Sequence, residues 1–189
     1  MPAAIFLDRD GVINENRDDY VTSWKGVRFI PGVFEALARL AATSLYLVLV
    51  TNQSPIGRGI LTPAQVETIN RRLILEIEAH DGRVDGVYYC PHHPDDGCDC
   101  RKPRPGLLLR AARELNLDLG ASYMVGDAAS DVEAALAAGV QPVMVRTGRG
   151  AAQERLIRAK WPRVPVVADL GEAVECILSR IQSQGAVKP

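Results

Sequence analysis

The segment Ile5-Phe6-Leu7-Asp8-Arg9-Asp10-Gly11 sets apolar residues directly against two acids one residue apart. Two carboxylates this close are costly to desolvate unless something cationic sits between them. A divalent ion such as Mg²⁺, which takes oxygen ligands, would relieve the repulsion. Farther along, Thr51-Asn52-Gln53-Ser54, Arg101-Lys102 and Gly126-Asp127 with Asp131 supply hydroxyls, amides, cations and more acids. Each has a plainer alternative: an acidic turn at Asp8, a turn at Thr51-Asn52, a solvated surface lysine at 102, a helix cap at Asp131. A second cluster of ligand-type residues runs Cys90-Pro91-His92-His93, then Cys98-Asp99-Cys100. Cys90, His92, Cys98 and Cys100 are four soft or borderline ligands that suit tetrahedral Zn²⁺, with His93 as the alternative imidazole. A full ligand set leaves no open position, so the expected zinc is structural; free thiols in a surface loop are the metal-free alternative.

The elements that must position these groups alternate. Ile5–Leu7 reads as a strand buried on both faces, as do Leu45–Val50, Val84–Tyr89, Tyr123–Val125, Pro142–Arg146 and Val164–Val167. Between them lie helical patterns. Pro31-Gly32 opens one with Val33, Phe34, Leu37, Leu40 and Ala41 inward. Thr62-Pro63-x-Gln65 is a capping box ahead of Val66, Ile69, Leu73 and Ile77. Further helices are expected after Pro103, from Ser130 or Asp131 to Gly139, over Ala151–Trp161, and after Asp169 with Glu172, leaving Cys176 as a bystander and a loose tail over 185–189. Alternation of this kind implies right-handed crossovers and a doubly wound parallel α/β sheet. The polar clusters at Asp8, Thr51, Cys90 and Asp127 all follow strands, so the sheet gathers them at one edge, where ligands bind in such folds.

The chain has 189 residues, 47% of them hydrophobic, enough to bury a sizeable core in one domain over 1–184. With 22 basic and 23 acidic residues the formal charge is −1, and no basic stripe marks a nucleic-acid partner. No apolar run approaches a membrane span and no charged-then-apolar leader precedes the first strand, so a cytoplasmic protein is expected. Crowded cysteines in such a chain favour a metal site over disulfides.

The order Asp8-x-Asp10, Thr51-Asn52, Lys102, Gly126-Asp127-x-x-x-Asp131 resembles the haloacid dehalogenase superfamily of phosphotransferases, over nearly the whole chain. The resemblance implies a Rossmann-like sheet of that type. It makes Asp8 the nucleophile that takes the phosphoryl group and Asp10 the general acid and base. Thr51 and Lys102 would hold the transferring group. Asp127 would bind Mg²⁺ with Asp8 and the main-chain carbonyl of Asp10, with Asp131 in support. Asp10 must carry a proton when the alkoxide leaves, so its surroundings should favour protonation in the loaded enzyme. The cysteine loop ending in Arg101-Lys102-Pro103 is similar to the histidinol-phosphatase-related branch. The signatures Phe6-Leu7-Asp8-Arg9-Asp10-Gly11, Thr51-Asn52-Gln53-Ser54, Gly57-Arg58-Gly59 and Arg101-Lys102-Pro103-x-Pro105-Gly106 look most like its heptose-bisphosphate phosphatases. That implies a small phosphorylated sugar as partner and loss of its 7-phosphate. Arg101 would recognise the substrate, with Tyr20, Asn52, Gln53 and Ser54 also binding it. Three departures from the pattern are Pro55, which should push Ser54 towards an extended conformation, an Asn16–Tyr20 segment one residue longer that lacks the glycine before Tyr20, and a short zinc loop. Histidinol phosphate is the alternative substrate. A phosphoacceptor switch or a zinc-organised binding module is the alternative of another class, and Asp10 discriminates against the switch. No segment is long enough for a cap domain, so an open pocket and a monomer are expected.

Overall fold

A computed structural model describes residues 1–185. Six strands, β1 (Ala4–Leu7), β2 (Tyr46–Asn52), β3 (Gly86–Cys90), β4 (Tyr123–Gly126), β5 (Gln141–Val145) and β6 (Val166–Val167), form one sheet in the order β3-β2-β1-β4-β5-β6. Every pairing is parallel. The helices are α1 (Val33–Ala41), α2 (Ser54–Gly57), α3 (Pro63–Glu78), α4 (Gly106–Leu115), α5 (Ala129–Ala138), α6 (Gly150–Lys160) and α7 (Leu170–Gly185). The strand order reverses direction between β1 and β4, which opens a crevice beyond their carboxyl ends.

Alternation within the strands divides the core into two layers. Ile5, Leu7, Leu47 and Leu49 pack with Leu37 and Leu40 of α1 and with Val174 and Ile177 of α7. Ala4, Phe6, Val48 and Val50 face the other way, onto Leu107, Leu108 and Ala111 of α4 and Ala134 and Ala135 of α5. The chain therefore needs near-continuous apolar strands, and the four residues of β1 are fully buried. The cap expected at Thr62 forms: Gln65 N donates to Thr62 Oγ1 at 3.3 Å and Thr62 N donates to Gln65 Oε1 at 2.8 Å.

Boundaries differ by a residue or two from the sequence expectation. The strand expected over 164–167 shortens to Val166–Val167, because Pro165 has no N–H to give a ladder. The one-turn helix α2 was not expected. Pro55 lies at its start, where a missing N–H costs nothing, so Ser54 stands within a helical turn rather than in an extended segment. Gly185 ends α7, and the rest of the expected loose tail lies outside the described residues. Among the described residues, no extra domain is inserted. The stretch 8–32 is loop with one 3-10 turn at Trp24–Gly26, and 53–85 holds only α2 and α3 before β3. No helix among them is long and apolar enough to cross a membrane.

Candidate active site

Asp8 follows β1 directly and extends its ladder, its N–H donating to Val125 O at 3.0 Å. Asp127 follows β4, the next strand across the crevice, and Asp131 lies in the first turn of α5. One carboxylate oxygen from each of these three acids falls within 4.8 Å of the others. Among the described residues, one ammonium lies within ion-pair distance of them. Lys102 Nζ is 3.0 Å from Asp8 Oδ1, 2.6 Å from Asp131 Oδ1, and donates to Val50 O at 2.8 Å. Lys102, expected either at the site or in solvent, is 3% exposed. Asp131 takes the cap role and also pairs with the lysine. Its Oδ2 caps α5 by accepting from Ala128 N at 3.1 Å, while Oδ1 faces Lys102.

Three buried acids against one lysine leave the cluster short of positive charge. Burial pushes the Asp8 carboxyl up to about 7; Lys102 opposes the rise, and Asp131, Asp127 and Asp10 add to it. Burial likewise pushes Asp127 up to about 6, with Asp131 adding, and Arg149 N–H and Lys102 opposing. Burial would lower Lys102, but Asp131 and Asp8 outweigh it and hold the ammonium charged. Such a set of hard oxygen donors fits Mg²⁺. Two glycines keep the space around Asp127 open. A Cβ on Gly11 (φ +94) or on Gly148 (φ +58) would overlap the Asp127 carboxylate. The remaining Asp127 contact is Arg149 N–H, 2.8 Å from Oδ2.

Asp10 sits apart from these three, in the turn that closes at Asn14. It accepts from Asn14 Nδ2 at 2.8 Å, from Gln53 Nε2 at 3.0 Å and from Arg9 Nη2 at 2.8 Å. Burial would raise its pKa, but the Arg9 charge and the hydrogen bonds from Asn14, Arg9 and Gln53 hold the carboxyl below its ordinary value. A guanidinium against the acid favours its charged form, and an arriving anion would shift that balance towards protonation. Arg9 itself, 2% exposed, had no place in the sequence-based site. The available signal was a second acid in a buried turn, whose charge needs a partner.

Thr51 is buried at the end of β2, its Oγ1 accepting from Gln53 Nε2 at 3.0 Å. Asn52, expected to touch substrate, also braces the chain. Its Nδ2 donates to Lys102 O and its Oδ1 accepts from Lys102 N, both at 3.1 Å. Above the acids opens a cavity of about 470 Å³ that all the expected catalytic and substrate-binding residues line: Asp8, Asp10, Thr51, Asn52, Gln53, Ser54, Tyr20, Arg101 and Lys102, with Asp127. Arg17, Arg58 and Arg149 also reach it. Tyr20 takes a left-handed backbone (φ 63). Arg101 Nη1 is buried with no hydrogen-bond partner.

The four expected soft ligands converge as well. Cys90 Sγ and Cys100 Sγ are each 3.6 Å from Cys98 Sγ, and His92 Nδ1 lies 3.5 Å from Cys90 Sγ and 3.2 Å from Cys100 Sγ. All the cysteines are free thiols. His93 turns away and caps the 3-10 turn at Pro94–Asp96, accepting from Asp95 N at 3.3 Å. The loop is pressed against both ends of the site. A Cβ at Gly57 of α2 would overlap the backbone of His92 and His93, and one at Gly106 of α4 would overlap Asp99 O.

Buried acids and one lysine at the switch point of a parallel sheet, beneath a polar cavity rimmed with arginines, define an enzyme class that handles a phosphoryl group beside a divalent cation. Residues 99–173 match the family model described as HAD-hydrolase-like. The D-glycero-beta-D-manno-heptose-1,7-bisphosphate 7-phosphatase of Escherichia coli (strain K12) is 45% identical over 180 residues, spanning 91% of this chain and 93% of that protein. Its namesake from Pseudomonas putida is 41% identical over 165 residues, with 87% and 93% covered. The crystal structure of D,D-heptose 1,7-bisphosphate phosphatase from B. bronchiseptica, complexed with magnesium and phosphate, matches with a TM-score of 0.87 at 38% identity, covering 94% and 99%. The chain belongs to the haloacid dehalogenase (HAD) superfamily of phosphatases, as a close relative of the heptose-1,7-bisphosphate 7-phosphatases.

Proposed function

We propose that the enzyme hydrolyses the 7-phosphate of D-glycero-D-manno-heptose 1,7-bisphosphate, leaving the 1-phosphate in place. The observation that carries this is the meeting of Asp8, Asp127, Asp131 and Lys102 beneath the arginine-rimmed cavity, in a chain so similar to enzymes named for that reaction. Asp8, Asp127 and the main-chain carbonyl of Asp10 would hold Mg²⁺, with Asp131 in support. The bound ion supplies neutralisation of the phosphate charge that an anionic nucleophile must approach.

Asp8 attacks phosphorus, forming an acyl-phosphate bond as the bond from phosphorus to the sugar oxygen breaks. Asp10 gives that oxygen its proton. The arriving phosphate is the anion that raises the Asp10 pKa against the pull of Arg9. Asp10 then takes a proton from water as the water attacks phosphorus, and inorganic phosphate leaves Asp8 free. Lys102 aligns the Asp8 carboxylate, and Lys102 and Thr51 hold the transferring group through its equatorial oxygens. Arg101, with its unpartnered buried N–H, suits the second phosphate of a bisphosphate; Asn52, Gln53, Ser54 and Tyr20 complete the pocket. A panel of heptose 1,7-bisphosphate, histidinol phosphate and other phosphate esters, run with and without Mg²⁺, tests the assignment. Preferred, Mg²⁺-dependent release of one phosphate from the heptose bisphosphate is expected. Equal and weak turnover of every ester would refute it.

Cys90, His92, Cys98 and Cys100 are assigned to a structural Zn²⁺. A tetrahedral site with Zn–S bonds of about 2.3 Å has edges of about 3.8 Å, close to the 3.6 Å sulfur separations of the loop. Burial pushes the Cys90 thiol up to about 12, and a bound cation would reverse that. Metal analysis of the purified protein should find about one zinc per chain. Free thiols and a phosphorylated sugar suit a reducing cytoplasm, and one chain, as a single domain over 1–184, supplies every lining group, so a monomer suffices.

A further inference from the structure

We propose that Arg9 is the positioning residue for Asp10, fixing its carboxylate through a forked ion pair that Asn70 of α3 anchors from behind. This rests on Asp10 being the acid and base of the reaction above. Asp10 lies in a turn, outside any strand or helix, so no regular element fixes its side chain. Within the turn, Asn14 Nδ2 holds one oxygen, Oδ1, at 2.8 Å, and Arg9 grips both. Its Nη2 donates to Asp10 Oδ2 at 2.8 Å and Oδ1 at 3.1 Å, and its Nε donates to Oδ1 at 3.3 Å. Its Nη1 donates to Asn70 Oδ1 at 2.9 Å, across 61 residues of sequence. Nη2 also donates to Gln53 Oε1 at 3.1 Å, which turns the Gln53 amide so that Nε2 points at both Asp10 Oδ2 and Thr51 Oγ1, each 3.0 Å away.

Stability is a poor reason for this arrangement. A guanidinium 2% exposed is costly to desolvate, and apolar residues of similar volume stabilise such places as well or better. What an arginine adds is geometry: a planar fork with fixed donor directions, which a lysine lacks. One guanidinium thus sets the orientation of Asp10 and of the amide that bridges Asp10 to Thr51, and α3 holds the guanidinium.

Separating the two half-reactions tests the role. Asp10 is needed to protonate a sugar alkoxide, but not to release p-nitrophenolate, which leaves readily as an anion. Water attack on the phosphoenzyme needs Asp10 in both cases. In Arg9→Met, kcat on the alkyl ester should fall by about 10²- to 10⁴-fold, the range of general acid–base catalysis, with KM nearly unchanged. With p-nitrophenyl phosphate the variant should release a rapid burst near one equivalent per protein, followed by equally slowed turnover. Arg9→Lys should fall between, keeping the charge without the fork. Asn70→Ala, which leaves the site's own side chains intact, should show the same burst with a smaller loss, and it decides the matter if Arg9→Met fails to fold. Parallel loss in both half-reactions with no burst, a loss confined to KM, or wild-type turnover would overturn the inference. Asp10→Asn is the control. If it shows the burst and the Arg9 and Asn70 variants do not, the Arg9 role alone fails. If Asp10→Asn turns over like wild type, the assignment of Asp10 fails, and the Arg9 role with it.

Discussion

Lys102→Met takes the single ammonium out of the acid cluster while keeping a side chain of similar length. In the wild type, Nζ lies 3.0 Å from Asp8 Oδ1 and 2.6 Å from Asp131 Oδ1, and the lysine is 3% exposed. Breaking a buried ion pair from one side costs about 3–5 kcal/mol, because the remaining charge is stranded. The size of the loss should depend on pH. Asp8 and Asp127 have folded-state pKa values raised to about 7 and about 6, so each favours the fold at low pH and loses that contribution as pH rises through its folded value. Lys102 opposes both shifts, so its removal drives both values higher. At pH 5 Asp8 and Asp127 are protonated with or without the lysine, and the difference between the proteins is smallest. Between pH 6 and 8 the wild type releases protons that the variant keeps, and the gap widens by about 1.4 kcal/mol per group per pH unit. Urea denaturation at pH 5 and pH 8, without divalent metal, measures this directly. A gap wider at pH 8 by about 1–3 kcal/mol is expected, and saturating Mg²⁺ should narrow it by substituting for the lost cation. Equal losses at both pH values, or no effect of Mg²⁺, would refute the electrostatic account of the cluster.

Gly11→Ala places a Cβ in the Asp127 carboxylate at a left-handed backbone (φ +94); calorimetry should find Mg²⁺ affinity lowered by tenfold or more, beside a stability loss of about 1–2 kcal/mol. Mg²⁺ affinity of the wild type should fall steeply from pH 8 to pH 5, because Asp8 and Asp127, raised to about 7 and about 6, then hold protons that the ion must displace; titration calorimetry showing constant affinity would contradict this. Arg101→Ala removes the unpartnered buried donor at the cavity wall, so KM for a bisphosphate should rise about 10- to 100-fold with kcat little changed, the worth of a charge-assisted hydrogen bond. Cys98→Ser should lower bound zinc and speed hydrogen exchange over residues 90–104, which mass spectrometry would resolve.

The sheet and its switch point were legible because each strand is apolar on both faces and each polar cluster follows a strand. Asp8, Thr51 and Asp127 could be placed together from that pattern, whereas Lys102, in a loop, joined them only through the family resemblance. Arg9 could not be placed. Periodicity treats an arginine as surface, and only the third dimension brings Asn70 and Gln53 to its guanidinium. Asn52 was half legible: its polarity signalled the site edge, but its grip on the Lys102 main chain joins residues 50 apart. The helical turn at Ser54 was missed for a local reason. Pro55 restrains its predecessor, yet at the first turn of a helix the same ring is tolerated, and sequence alone does not say which rule governs.

The cysteine loop and the phosphate site belong to one device. From 91 to 105 the chain holds no strand or α-helix, only the 3-10 turn at Pro94–Asp96, yet Lys102 at its far end must sit within 3.0 Å of Asp8. Ordering a dozen residues costs on the order of 12–24 kcal/mol of backbone entropy. The loop's hydrogen bonds, at a net of about 0.5–1.5 kcal/mol each, offset only part of that. A structural zinc contributes roughly 10–16 kcal/mol in small peptides, the same order as the deficit. As a zinc ligand, Cys100 would fix the chain two residues before Lys102, and Asn52 grips the Lys102 main chain on both its N–H and its C=O. With the proposed zinc bound, the lysine would be held between a metal-tied loop and the end of β2. If that is how it is placed, chelating the zinc should lower kcat through Lys102 and leave Mg²⁺ binding at Asp8 and Asp127 measurable. Loss of zinc with full retention of kcat would show that β2 and Asn52 alone suffice to hold the lysine.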